Sequence, residues 1–153
     1  MRNVSVQKTC GSWSSPISAE MVTLSSPNLY FLKVQNNNLY WVESRPWDNG
    51  RNVIMCRQKD GTTHDLIPAP FSHLSKVHEY GGCAYAVHSN FLYFVNASDQ
   101  RIYQSNLCSG ERPLPITNDD SWRYVDLIIN HNANQLIAVG EWHSDGKEPE
   151  NHI

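Results

Sequence analysis

The chain of 153 residues carries 12 Lys and Arg against 15 Asp and Glu, a formal net charge of −3 at pH 7, and 40% of it is apolar. That balance makes no positive field for gathering phosphates, and no window holds a Lys/Arg cluster, so no nucleic acid partner is expected. No run nears about 18 consecutive apolar residues and positions 1–11 lack an apolar signal region, so no membrane span is expected and the reading is cytoplasmic.

In chain order, residues 1–29 read as an irregular opening segment: Gly11-Ser12-Trp13-Ser14-Ser15-Pro16-Ile17-Ser18 is turn-like, and 19–24 suits one short helical turn. From residue 30 a four-strand unit recurs. Its markers are the apolar runs Leu39-Tyr40-Trp41-Val42, Leu92-Tyr93-Phe94-Val95 and Leu136-Ile137-Ala138-Val139, each preceded by a turn rich in Asn or Ser. The runs begin 53 and 44 residues apart, close to one blade of a β-propeller.

The first strands are predicted at 30–34, 83–87 and 125–129. The second strands are the marker runs, which are continuous rather than alternating and so predict sheets buried on both faces. Third strands are expected at 51–56, after the hairpin signal Asn49-Gly50, and at 101–105. Fourth strands are expected at 63–67 and 112–117, where Pro113 and Pro115 place the segment on an outer edge. The small residues of Gly81-Gly82-Cys83-Ala84 suit a place where backbones converge near a ring axis.

The fold expected is all-β, an incomplete propeller of about two and a half four-stranded antiparallel blades near 30–68, 83–117 and 123–153. Two outer faces would then be uncovered. With four to six large apolar side chains on each, at roughly 1.5–3 kcal/mol apiece, an uncovered face costs ~6–18 kcal/mol, which rivals a whole domain's stability. The isolated chain is therefore expected to be aggregation-prone or to need a partner segment.

Chemistry-bearing motifs are few. There is no Gly-x-Ser-x-Gly, the turn that exposes a serine nucleophile. His78-Glu79 begins like a zinc-protease helix, but the second histidine required four positions on is Gly82. Trp47-Asp48 sits in a turn rather than at a strand end, and Asp119-Asp120 and Asp145 lack a calcium-loop pattern. Cys10, Cys56, Cys83 and Cys108 form no Cys-x-x-Cys pair and are expected to be reduced. No metal and no cofactor are expected.

His78-Glu79-Tyr80-Gly81-Gly82 is the most distinctive segment. One reading is structural, a tight loop with Tyr80 packed inward. The other has His78, Glu79 and Tyr80 lining a central channel as candidate substrate-binding residues.

Several segments carry a resemblance. Gly11-Ser12-Trp13-Ser14-Ser15-Pro16-Ile17, Leu39-Tyr40-Trp41-Val42-Glu43-Ser44-Arg45-Pro46 with Gly50-Arg51, Pro68-Ala69-Pro70-Phe71, Val77-His78-Glu79-Tyr80-Gly81-Gly82 and Asp99-Gln100-Arg101-Ile102-Tyr103 occur in order over about residues 11 to 150. Together they resemble the N-terminal propeller of the prolyl oligopeptidase family of serine peptidases, nearest the dipeptidyl aminopeptidase and acylaminoacyl peptidase branch; Cys10 departs from the aromatic residue expected there.

The resemblance implies a propeller that restricts access of peptide substrates to a C-terminal α/β-hydrolase domain holding a Ser-Asp-His triad. No triad position falls in this sequence, so no catalytic residue is carried over and the chain alone is expected to be inactive. The alternatives are a stand-alone interaction module completed by a partner or by self-association, and a calcium-dependent lactonase-type propeller.

Overall fold

A computed structural model of the chain describes residues 9, 11–12, 14–18, 21, 26–118, 121–144 and 146–153. The predicted helical turn at 19–24, Cys10 and the carboxylates of Asp119, Asp120 and Asp145 therefore lie wholly or mainly outside the described residues.

Three antiparallel sheets follow one another along the chain. The first contains β1 (Asn28–Gln35), β2 (Asn38–Arg45), β3 (Arg51–Arg57) and β4 (Thr63–Asp65), in that spatial order. The second contains β5 (Tyr85–His88), β6 (Phe91–Val95), β7 (Ile102–Asn106) and β8 (Leu114–Pro115), again in sequence order. The third contains β9 (Trp122–Asn130), β10 (Gln135–Trp142) and β11 (Glu150–His152), with β10 in the middle. Each predicted strand overlaps one of these, and β8, with Pro115 in its ladder, is the outer edge of its sheet. This is the meander of successive propeller blades.

The apolar runs make the sheets stack. Along β6, Leu92 and Phe94 join a core shared with the first sheet, whereas Tyr93 and Val95 pack in a core shared with the third. Neighbouring β5 and the residue before it divide the same way: Tyr85 and Val87 face one core, Ala84 and Ala86 the other. Because successive side chains in a strand point to opposite faces, a continuous apolar run is what a sheet covered on both sides requires.

The third run departs from that expectation. Leu136, Ala138 and Val139 are only half-buried, and Ile128 on β9 is exposed. Its sheet packs against the second on one face, and no other described sheet covers the opposite face. At the other end of the stack β1 leaves Leu29, Leu32 and Val34 in solvent.

The innermost strands repeat a detail invisible in the sequence. Between Tyr30 and Lys33 in β1, and between Val125 and Ile128 in β9, one extra residue opposes the partner strand. Phe31 (φ 54) and Asp126 (φ 53) sit there with left-handed backbone. Such bulges sharpen local twist and re-aim side chains.

The β2–β3 connection also differs from the two-residue hairpin that Asn49-Gly50 suggests. Residues 46–50 form a five-residue loop, a 3-10 turn over Pro46–Asp48 followed by Asn49 (φ 51) and Gly50 (φ 72), closed by Gly50 N donating to Arg45 O at 3.0 Å. Pro46, with φ fixed near −65°, starts that extra turn, and the Asn-Gly pair still supplies the positive φ. Asp48 accepts from Arg51 Nε at 2.6 Å, a structural role for the Trp-Asp dipeptide.

Tyr85 locks the first two sheets together. Its hydroxyl donates to Phe31 O, and its own carbonyl accepts from Lys33 Nζ at 2.7 Å. Cys56, Cys83 and Cys108 are free thiols. Among the described residues no helix is long and apolar enough to cross a membrane.

Candidate functional site

The connection from the first blade to the second leads through Ser75, a 3-10 turn at Val77–Glu79, and Gly81-Gly82 into β5. Its path is forced. His78 (φ 51), Glu79 (φ 61) and Gly81 (φ 69) are all left-handed, and Gly81 N donates to Val77 O at 2.9 Å. A Cβ on Gly81 would lie 2.6 Å from Ser75 O, and one on Gly82 would lie 2.5 Å from Val125 Cγ2, so both glycines are needed for close approach. Buried Gln100 holds the loop from below, accepting from Lys76 N at 2.7 Å and donating to Leu74 O and Ala97 O.

Glu141, at the end of β10, anchors the loop from the third blade. It is only 3% exposed, yet carries a carboxylate. Oε1 accepts from His78 N at 3.2 Å, and His143 Nε2 lies 2.8 Å from Oε2. A carboxylate only accepts, so His143 Nε2 bears the hydrogen. His78 Nδ1 is 3.4 Å away and Arg123 Nη1 3.9 Å; Arg123 also donates to Glu79 Oε1 at 2.7 Å and to Lys76 O at 3.0 Å. Burial pushes the Glu141 carboxyl up, but the bonds from His143 and the His78 backbone outweigh it and hold the group below the usual range.

The three predicted residues thus divide. His78 turns partly toward Glu141, Glu79 pairs with Arg123, and Tyr80 projects into solvent, 94% exposed. The inward-packing reading of Tyr80 is corrected: with left-handed backbone on both sides, the loop throws its side chain outward. His78, Glu79 and Tyr80 share a concavity of about 430 Å³ with Glu141, His143 and Glu148. Sequence reading missed Glu141, His143 and Arg123, which are distant in the chain.

A second cavity, about 330 Å³, lies between residues of the first blade and the Gly81-Gly82 path and shares Tyr80 with the first. His73 lines it, 2% exposed. Phe31 and Tyr85 meet its ring edge-on at 6.3 and 5.7 Å. Burial lowers its pKa from 6.5 to about 4, so the ring is neutral near pH 7.

The sign of the resulting pH effect follows. A base depressed in the folded state contributes stability that is complete above its unfolded pKa of 6.5 and is lost as pH falls toward about 4. Acidification from pH 7 to 4 should remove about 3 kcal/mol through this one group. Urea titrations across that range should show the corresponding slope in the native chain and lose it in His73→Phe; equal slopes would show that His73 is not buried neutral.

Among the described residues, no three His, Cys, Asp or Glu side chains are grouped to hold a metal. A serine hydroxyl does approach an imidazole, Ser89 Oγ to His88 Nε2 at 3.3 Å, but in an exposed turn where His88 packs on the His131 ring.

The fold defines the class: an all-β, partial β-propeller, consistent with an N-terminal propeller fragment like those of peptidases of the prolyl oligopeptidase family. Among solved structures, the chain is similar to a Mycobacterium tuberculosis puromycin-hydrolyzing peptidase, at 30% identity and a TM-score of 0.80, covering 94% of this chain and 23% of that one. It is also similar to a puromycin hydrolase, at 26% identity and a TM-score of 0.73, covering 85% and 21%. The chain therefore spans less than a quarter of these relatives. No family model and no curated protein matches it.

Proposed function

We propose that this chain is the propeller part of a prolyl-oligopeptidase-like serine peptidase, with 30–153 forming blades and 1–29 leading into them. It forms a steric gate and part of a substrate chamber, while a C-terminal α/β-hydrolase domain performs acyl transfer with its own serine, histidine and oxyanion donors. The observation that carries this reading is the match in fold over 94% of the chain to a puromycin-hydrolyzing peptidase. The exposed Tyr80 on a pinned loop supports the gate: a rigid backbone presenting one aromatic side chain can select substrates by size. The dipeptidyl aminopeptidase and acylaminoacyl peptidase activities are the specific forms proposed, in the cytoplasm, on peptide substrates.

The chain assayed alone on aminoacyl and peptidyl chromogenic substrates should show no turnover above buffer. Joined to its hydrolase domain, Tyr80→Ala should raise kcat/KM for long peptides several-fold over that for dipeptides. Serine-reagent-sensitive turnover by the 153 residues alone would overturn the reading. A stable fold of 2:1 or higher mass that needs no hydrolase domain would favour the interaction module, a reading that the exposed apolar residues of β1 suit.

A further inference from the structure

The cavity beside His73 combines three features of a built site. Tyr30, Phe31, Val42 and Leu74 give it apolar and aromatic walls, and Ser44, Asn52, Ser75 and the Tyr80 side chain add uncharged polar groups. No charged side chain lines it, which excludes ionic ligand groups from its interior. Its volume of about 330 Å³ lies at the small end of ligand pockets, roughly 300–1,000 Å³. That suits one uncharged side chain with the peptide group beside it.

The third feature is His73 itself. Nδ1 is buried with no hydrogen-bond partner. A neutral imidazole has one N–H and one lone-pair nitrogen, and the proposal below places the lone pair on Nδ1. In the neutral ring Nδ1 is then a lone-pair acceptor in need of a donor. Buried polar atoms are nearly always paired, and leaving one unpaired costs about 1–3 kcal/mol. An N–H donor arriving with a ligand would recover that loss.

Phe31 links the two features. It forms part of the cavity wall and also packs against the His73 ring, and it is 41% exposed on a left-handed bulge. Its side chain is the part of the wall able to move aside without disturbing a buried core.

We propose that this cavity is a side-chain subsite that takes an apolar or aromatic residue of a peptide, whose adjacent N–H donates to His73 Nδ1 as Phe31 shifts. The subsite deepens the chamber reading above and rests on it for the peptide nature of the ligand. Tyr80 lines both this cavity and the concavity that holds Glu141, so the His78–Gly82 loop borders an acidic concavity and an uncharged one.

The test is a titration of the 153-residue chain with N-acetyl-L-phenylalaninamide, against N-acetylglycinamide, read by the ¹⁵N resonances of the histidine rings. The phenylalanine probe should saturate and move His73 Nδ1 toward a hydrogen-bonded position while Nε2 stays put; the glycine probe should bind at least tenfold more weakly. Ser44→Phe, which fills the cavity and leaves His73 intact, should abolish the shift. His73→Phe, which removes the reporter ring and is followed by calorimetry instead, should weaken probe binding about tenfold, the worth of a net hydrogen bond of roughly 1.4 kcal/mol. The proposal is overturned by any one of three results: no saturable shift, equal response to both probes, or an unchanged response in Ser44→Phe. A His73 Nδ1 already at the hydrogen-bonded position without probe would also overturn it. Tyr80 borders this cavity as well as the acidic concavity, but the gating reading fails separately: its test compares long peptides with dipeptides in the joined enzyme, whereas this one uses single-residue probes on the chain alone.

Discussion

Phe94→Ala is expected to cost about 3–5 kcal/mol, the range for removing a buried aromatic ring. Phe94 is 0% exposed, stacks on its cross-strand neighbour Tyr103 at 5.8 Å, and receives Phe71 edge-on at 5.9 Å. Phe71 comes from the connection between the first two blades, so this trio lies where the first core joins them. Truncation leaves a cavity whose walls belong to two sheets and an intervening loop, which cannot all collapse inward without breaking ladder pairs. The loss approaches the stability of a typical domain, about 5–15 kcal/mol. Urea unfolding should show a lower midpoint with little change in slope, and Phe94→Leu should recover most of the loss. Exposed Tyr80→Ala serves as the control, expected within ±0.5 kcal/mol. A Phe94→Ala loss below about 1 kcal/mol would show that the two sheets are not packed through this ring.

Glu141→Ala should be the second large effect, about 1–3 kcal/mol. Removing the carboxylate leaves the His78 N–H and the His143 ring N–H, both only part-buried, without their acceptor, and water reaching them from the concavity offsets part of the roughly 1–3 kcal/mol cost of an unsatisfied group. Arg123 keeps Glu79 and Lys76 O, so its charge is not stranded and the cost stays below that of a fully broken buried ion pair. Glu141→Gln should cost less, because the amide oxygen can still accept from His78 N.

The pH dependence gives an independent check. The carboxyl is depressed in the folded state, so its contribution is complete above the unfolded value of 4.5 and is lost as pH falls through the lower folded value. Both variants should lose that acid sensitivity while retaining the higher-pH slope of His73. The loop is a local unit, so amide exchange at His78 should accelerate in Glu141→Ala. Unchanged exchange there would mean that Glu141 does not anchor it.

Much of the architecture could be read from residues alone because it is dictated locally. Three apolar runs at near-blade spacing gave three middle strands, Pro113 and Pro115 marked an outer edge, and the unbroken run Leu92–Val95 required two covered faces. Where local signals were incomplete the reading strayed. Asn49-Gly50 carried the positive φ but not the longer loop that Pro46 initiates, and the run 136–139 did not reveal that only one of its faces is packed.

The candidate site divides along the same line. The glycines of the His78–Gly82 loop announced a constrained path, because only a missing Cβ permits the 2.6 and 2.5 Å approaches found there. Tyr80's outward direction depended on the left-handed residues on either side. Glu141 and His143 gave no signal, since a carboxylate and an imidazole after an apolar strand look like any solvated strand end. The orphaned acceptor of His73 was equally silent.

The sequence by itself determined the strand order, the repeat and the open geometry of the glycine loop, because these follow from side-chain periodicity and backbone freedom within a few residues. Only the tertiary structure decided that Glu141 is buried beneath that loop and that His73 lines the cavity between the first blade and the loop. Burial and hydrogen-bond partnership arise from groups roughly 20 to 60 residues apart, and no local pattern encodes them.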